Sequence, residues 1–115
     1  MSSFNEIEKQ RIKKIVGGFC RGRIPYHQRS YVKLFYEIHG FDVKIIESRP
    51  SYPNSHIWID TSIARLLYDP DSLLWHLYWM RGTGKWQKYN GLEPTNSLKA
   101  VIDEIAIDPF LVFWG

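Results

Sequence analysis

Near the start of the chain, Phe4, Ile7, Ile12, Ile15, Val16 and Phe19 recur at helical spacing and make one apolar stripe, with Glu6, Lys9, Lys13 and Lys14 mostly off it. The pattern predicts a helix over about 4–17. Ser3 with Glu6 has the form of a capping box, and Asn5 with Glu8 is the alternative two residues on. Gly17-Gly18 is expected to end the helix, because glycine lowers helix propensity and admits positive φ. Gly22 and Pro25 then make residues 20–29 a loop that aims Arg21, Arg23, His27 and Arg29 outward.

From residue 31 the period changes from helical to two. Val32, Leu34, Tyr36 and Ile38 alternate with Tyr31, Lys33, Phe35 and Glu37, and the β-branched and aromatic content favours a strand. Further strands are read over about 43–48, 62–68, 73–80 and 85–89. His39-Gly40-Phe41-Asp42, Asp69-Pro70-Asp71-Ser72 and Arg81-Gly82-Thr83-Gly84 supply turns between them. Ile57–Thr61 reads as strand or edge bulge. A second helix is expected over about 96–107, with Thr95, Asn96 or Ser97 as cap, Leu98, Val101, Ile102 and Ile105 as its apolar face and Pro109 beyond its end. Phe110–Gly115 is too apolar for a frayed terminus and is expected to pack down on the sheet or a partner. These elements compose one α+β domain. It is an antiparallel meander of about five strands with the N- and C-terminal helices on one face, the other face being wet or shared with a second chain.

Composition narrows the class. At 115 residues with 44% apolar and 23% charged side chains, the chain is long enough for one core and too apolar for disorder. No uncharged apolar run reaches the length of a membrane span. Ser2-Ser3 after Met1 starts no signal peptide. A single cysteine, Cys20, precludes an internal disulfide and points to the cytoplasm.

Charge adds a direction. The net charge of +3 is uneven: residues 1–33 hold eight cations against Glu6 and Glu8, while the remainder has an acidic excess. A field localised in this way draws nucleic acid or an acidic protein surface, although a solvated basic helix looks the same. Lys13, Lys14, Arg21, Arg23 and Arg29 are the candidate anion contacts in this segment.

The aromatic residues Trp58, Tyr68, Trp75, Tyr78, Trp79, Trp86 and Tyr89 crowd into the strands. Core packing is the first account, with Trp75 and Trp79 on the helix-covered face. On the opposite face, Tyr78 and Trp86 beside Arg65, Arg81, Lys85 and Lys88 would form a stacking platform with a phosphate-facing rim. An enzyme alternative rests on Glu37 and Glu47 with Arg49 two residues further. Acids on adjacent strands with a nearby cation are the arrangement a metal-dependent nuclease uses. If Ile38 faces Val43, however, Glu37 lies opposite Lys44 and points away from Glu47. The histidines make no paired zinc spacing, and no metal is expected. No glycine turn is followed by the Lys-Ser/Thr of a phosphate cradle, so no cofactor is expected. Arg21 and Arg23 beside Cys20 would lower the thiol pKa.

Several stretches carry a likeness together. They are Ile63-Ala64-Arg65-Leu66-Leu67-Tyr68, Trp75-His76-Leu77-Tyr78-Trp79, Lys85-Trp86-Gln87-Lys88-Tyr89, and the close from Ile105-Ala106-Ile107-Asp108-Pro109 to Phe113-Trp114-Gly115. With Tyr36–Gly40, Val43 and Glu47–Pro50 they resemble a small bacterial family, domain of unknown function 3024. Met80-Arg81-Gly82-Thr83 departs from the acidic-basic-Asn turn expected there. The resemblance implies a bacterial protein and brings no established activity. The expectation from the residues is therefore a small basic binding or interaction protein, more readily non-catalytic than an enzyme. Nucleic acid is its preferred ligand, and a structural homodimer is a further alternative.

Overall fold

The computed structural model describes residues 3–54 and 56–115. Helix α1 (Glu6–Ile12) starts at Asn5, whose Oδ1 accepts the Glu8 N–H at 2.8 Å while Glu8 Oε1 accepts the Asn5 N–H at 2.9 Å. The capping box thus forms on Asn5 and Glu8 instead of Ser3 and Glu6; such a cap is worth about 1 kcal/mol.

The helix does not end at Gly17-Gly18. It passes through a π turn (Lys13–Gly17) into α2 (Gly18–Arg23), with Gly17 at φ −63° and Gly18 at φ −62°. The glycine serves close packing. A Cβ on Gly17 would lie 3.2 Å from Tyr36 and 3.3 Å from the Arg21 guanidinium. The stop falls at Ile24, which turns extended (φ −94°, ψ 116°) as a residue before proline must. Ile12, Val16 and Cys20 form the buried line of this helical segment, while Ile7 is 76% exposed and lies off it.

Five strands follow in the order of the chain: β1 (Lys33–His39), β2 (Asp42–Pro50), β3 (Trp58–Asp69), β4 (Leu74–Met80) and β5 (Trp86–Lys88), all antiparallel. The first hairpin turns at Gly40 (φ 62°) and sets Ile38 opposite Val43. β3 begins earlier than the alternation predicts, taking in the Ile57–Thr61 region from Trp58 onward. A bulge sets Ile45 opposite Ala64 and Ile46 opposite Ser62, so Ile63 has no partner of its own on β2.

Both helical segments pack on one face of the sheet. Val43, Ile45, Ala64 and Leu66 are wholly buried there beneath Ile12 and Val16 from the first and Val101 and Ile105 from helix α3 (Leu98–Ile107). Each such aliphatic contributes about 1.5–3 kcal/mol. Phe4 closes one end of the core against Phe41, Tyr68 and Trp75, with ring centroids 5.1–5.8 Å apart. Among the described residues, no helix is long and apolar enough to cross a membrane.

Helix α3 is capped by Ser97, whose Oγ accepts the Ala100 N–H at 3.1 Å, and ends at Asp108 in the left-handed region (φ 47°). The buried Asp108 carboxylate then organises the tail. Its Oδ1 accepts the N–H groups of Val112 and Phe113 at 2.9 and 3.1 Å, and its Oδ2 accepts that of Trp114 at 2.8 Å. The Trp114 indole N–H donates to the Ile105 carbonyl at 2.8 Å. Phe113 packs on Tyr89, whose hydroxyl donates to Glu104 at 2.5 Å. Burial, and then that carboxylate, hold the Tyr89 phenol above its usual pKa.

Asp108→Ala removes three charge-assisted hydrogen bonds and should destabilise the domain by about 3 kcal/mol, with Asp108→Asn costing less because its amide oxygen still accepts. Urea unfolding followed by tryptophan fluorescence measures both; equal stability of Asp108→Ala and wild type would show that the carboxylate does not hold the tail.

Candidate nucleic-acid interface

The cations of the first helical segment and of the turn after it lie on the helix side of the sheet. Lys13 and Lys14 are exposed on the π turn, Arg21 and Arg23 occupy the last turn of α2, and Arg29 follows the 3-10 turn Tyr26–Gln28. Arg21 and Arg23 are therefore set by a helix and not by a loop. Among the described residues the ion pairs are Lys9–Glu6, His39–Glu37, Arg49–Glu47, Arg65–Asp42 and Lys99–Asp103, so Lys13, Lys14, Arg21, Arg23 and Arg29 have no acidic partner there.

Aromatic rings position three cations here. Arg23 lies 3.9 Å from the Trp114 ring centroid and 5.9 Å from that of Phe19. Arg29 lies 5.6 Å from the Tyr26 ring and donates to the Arg21 carbonyl at 3.2 Å, while Lys33, at the start of β1 and on the open side like Glu37, lies 4.4 Å from the Trp58 ring. A cation over a ring keeps its outward face and its donors free for an anion.

Two adjoining depressions share Ile24. One, of about 320 Å³, has Arg21, Arg29 and Lys33 around Cys20, Ile24 and Val32. The other, of about 410 Å³, is lined by Arg23, Arg49, Glu47, Gln28, Pro25 and Trp114. Glu47 is the single acid against five cations, and it is held by Arg49 at 2.9 Å. Together they form a cationic groove where the end of α2, the start of β1 and the C-terminal tail meet.

The other candidates do not join it. In the register Tyr78 lies opposite Lys88 and Met80 opposite Trp86, on the face away from the helices. Arg81 and Lys85 sit in the β4–β5 turn, at the sheet edge opposite β1. Arg65 shares the Tyr78 face, 5.5 Å from that ring, but is neutralised by Asp42 at 2.8 Å. The sheet thus divides the anticipated anion-binding residues into two surfaces: Arg81, Lys85 and Lys88 are also without acidic partners among the described residues, but the helix side gathers Arg21, Arg23 and Arg29 around one groove. Tyr31, Lys33 and Trp114 escaped the sequence reading as ligand-binding residues. Lys33 counted only toward net charge and Trp114 read as a packed tail residue, and only the joining of distant segments sets them beside Arg29 and Arg23.

The enzyme constellation does not assemble. Glu37 lies opposite Lys44 and Glu47 opposite Leu34. Leu34, Tyr36 and Ile38 pack against the core, so the period of two turns Glu47 to the helix side and Glu37 to the open side. Glu37 meets His39 at 3.4 Å instead. Among the described residues, no group of three or more His, Cys, Asp or Glu is arranged to hold a metal ion.

Cys20 also departs from expectation. Burial beneath the groove raises its pKa from 9.0 to about 11, outweighing the field of Arg21.

Fold and site together define a one-sheet α+β domain with helices on one face and a cationic groove at the end of the first helical segment. The chain belongs to the DUF3024 family, a domain of unknown function, matched over residues 4–115. No curated protein and no solved structure matches it.

Cys20 should resist a thiol reagent such as Ellman's at pH 8 in the folded protein and react fully in denaturant. Fast labelling of native protein would show a thiolate that burial does not suppress. The stability contributed by the neutral thiol is complete below its unfolded pKa near 9.0 and is lost as pH rises through about 11.

Proposed function

We propose that this domain is a non-catalytic nucleic-acid-binding protein and that the groove around Arg21, Arg23, Arg29 and Lys33 is its binding surface. One observation carries the reading: Lys13, Lys14, Arg21, Arg23 and Arg29 gather on the helix side of the sheet without acidic partners among the described residues. Unpaired surface cations neutralise phosphates at little desolvation cost and gain from counterion release. An acidic protein surface would meet the same field. The interleaving of tyrosine and tryptophan with these cations favours nucleic acid, since bases offer faces for rings and guanidinium groups while acidic peptides do not. A cytoplasmic location accords with that ligand and with a single buried thiol.

The open sheet face supports a weaker second reading, a homodimer joined through Tyr78, Met80 and Trp86. Those side chains are half-buried within one chain and lie on the face away from the helices.

Fluorescence anisotropy of labelled DNA and RNA at several salt concentrations tests the principal reading. The expected outcome is micromolar or tighter binding whose log K falls steeply with log salt. Arg21→Ala with Arg29→Ala should reduce the magnitude of that slope by roughly 0.7–0.9 for each phosphate no longer neutralised. Absence of binding at low salt would sink the proposal. A dimeric mass in sedimentation equilibrium that Trp86→Glu reduces to a monomer would then favour the second reading.

A further inference from the structure

We propose that the groove takes a single strand and not a duplex, with phosphates along Arg21 and Arg29 and one base lying on the outer face of the Arg23 guanidinium. This rests on the nucleic-acid reading above and specifies the form of its ligand.

The stack of Arg23 on Trp114 carries the inference. A guanidinium 3.9 Å from the indole centroid has one face covered; Arg23 is partly exposed, lines the depression and has no acidic partner among the described residues. A free guanidinium plane backed by a ring is a surface on which an unpaired base stacks. The backing is rigid: the indole N–H is held by the Ile105 carbonyl at 2.8 Å, and the Trp114 amide by Asp108 at 2.8 Å. Little ordering remains to be done on binding, which favours affinity.

The surroundings extend the platform. Tyr26 and Tyr31 are 84% and 67% exposed, and Arg29 lies 5.6 Å from the Tyr26 ring. Exposed tyrosines among phosphate-facing cations are the recurring composition of single-strand grooves. The same geometry disfavours a duplex. Paired bases are stacked on one another and offer no free face. The basic helical segment lies flat on the sheet through Ile12, Val16 and Cys20, so it does not stand out as a helix that enters a major groove does.

The test compares three labelled probes of equal length by anisotropy: a DNA strand with bases, an abasic strand of the same phosphates, and a duplex. Wild type should bind the base-bearing strand about tenfold tighter than either of the others. Arg23→Lys keeps the charge and removes the plane. It should weaken the base-bearing strand about tenfold, to near parity with the abasic one, and change the abasic affinity far less. Arg21→Ala should weaken all three probes together. Equal wild-type affinity for base-bearing and abasic strands would overturn the inference, as would Arg23→Lys weakening both alike, and the groove would then remain a general phosphate surface. Tighter binding of the duplex would overturn it in the same way. Failure of wild type to bind any probe would overturn this inference and the nucleic-acid reading together.

Discussion

The close approach of the first helical segment to β1 is the constraint from which the rest of the molecule follows. A Cβ on Gly17 would press on the Tyr36 ring at 3.2 Å, tighter than an ordinary van der Waals contact, so the glycine lets the helix axis sit low on the sheet. That depth lets Ile12 and Val16 reach Val43, Ile45 and Leu66, leaving none of the five with appreciable exposure. It also carries the helix past its two glycines, because their backbone stays helical when packing holds it there. Tertiary burial outweighs a propensity penalty of about 1 kcal/mol per glycine. The consequence for the surface is direct: the helix reaches Arg23, and Pro25 then turns the chain toward β1 across the end of the sheet.

Two separate stabilising devices meet at that end. The helix brings Arg23, and the Asp108 carboxylate folds the C-terminal tail back so that Trp114 lies under it. Asp108 adopts positive φ to do so, and the same turn leaves Leu111 at φ 57° and exposed. Three backbone hydrogen bonds to one buried carboxylate compensate for a conformation that costs about 1 kcal/mol or more per residue. A tail that reads as core packing is therefore also the backing of the groove.

The two faces of the sheet differ in how their unpaired cations are arranged. On the open face, Arg65 is engaged by Asp42 and Glu37 meets His39, while Lys44 and Lys88 have no acidic partner among the described residues. Around the groove, Glu47 engages Arg49 and the other cations remain unpaired among the described residues. Partner attraction depends on the local uncompensated field, and the gathering of Arg21, Arg23 and Arg29 around one groove favours the helix side as the functional surface. Burial also decides the chemistry of Cys20. Neighbouring guanidinium groups activate a thiol only where water or a charge network sustains the thiolate, and desolvation beneath the groove is the larger effect.

Much of the fold was legible along the chain. The change of hydrophobic period at residue 31, the turn residues and the capped second helix are local signals. They lead to a five-stranded meander with two helical segments on one face. The Ile38–Val43 register and the separation of Glu37 from Glu47 were conditional on a turn that Gly40 makes. The helix boundary was not legible, since Gly17-Gly18 is a stop signal by propensity and a packing device by contact. Nor was the groove: Arg21, Arg23 and Arg29 are close in sequence, but Glu47, Arg49 and Trp114 join them only through strand pairing and the folded tail. Periodicity, turn chemistry and net charge are properties of neighbours along the chain, and the sequence by itself determined those. Which cations stay unpaired, which aromatic backs which guanidinium, and which carboxylates meet depend on distances between remote segments, and only the tertiary structure decided them.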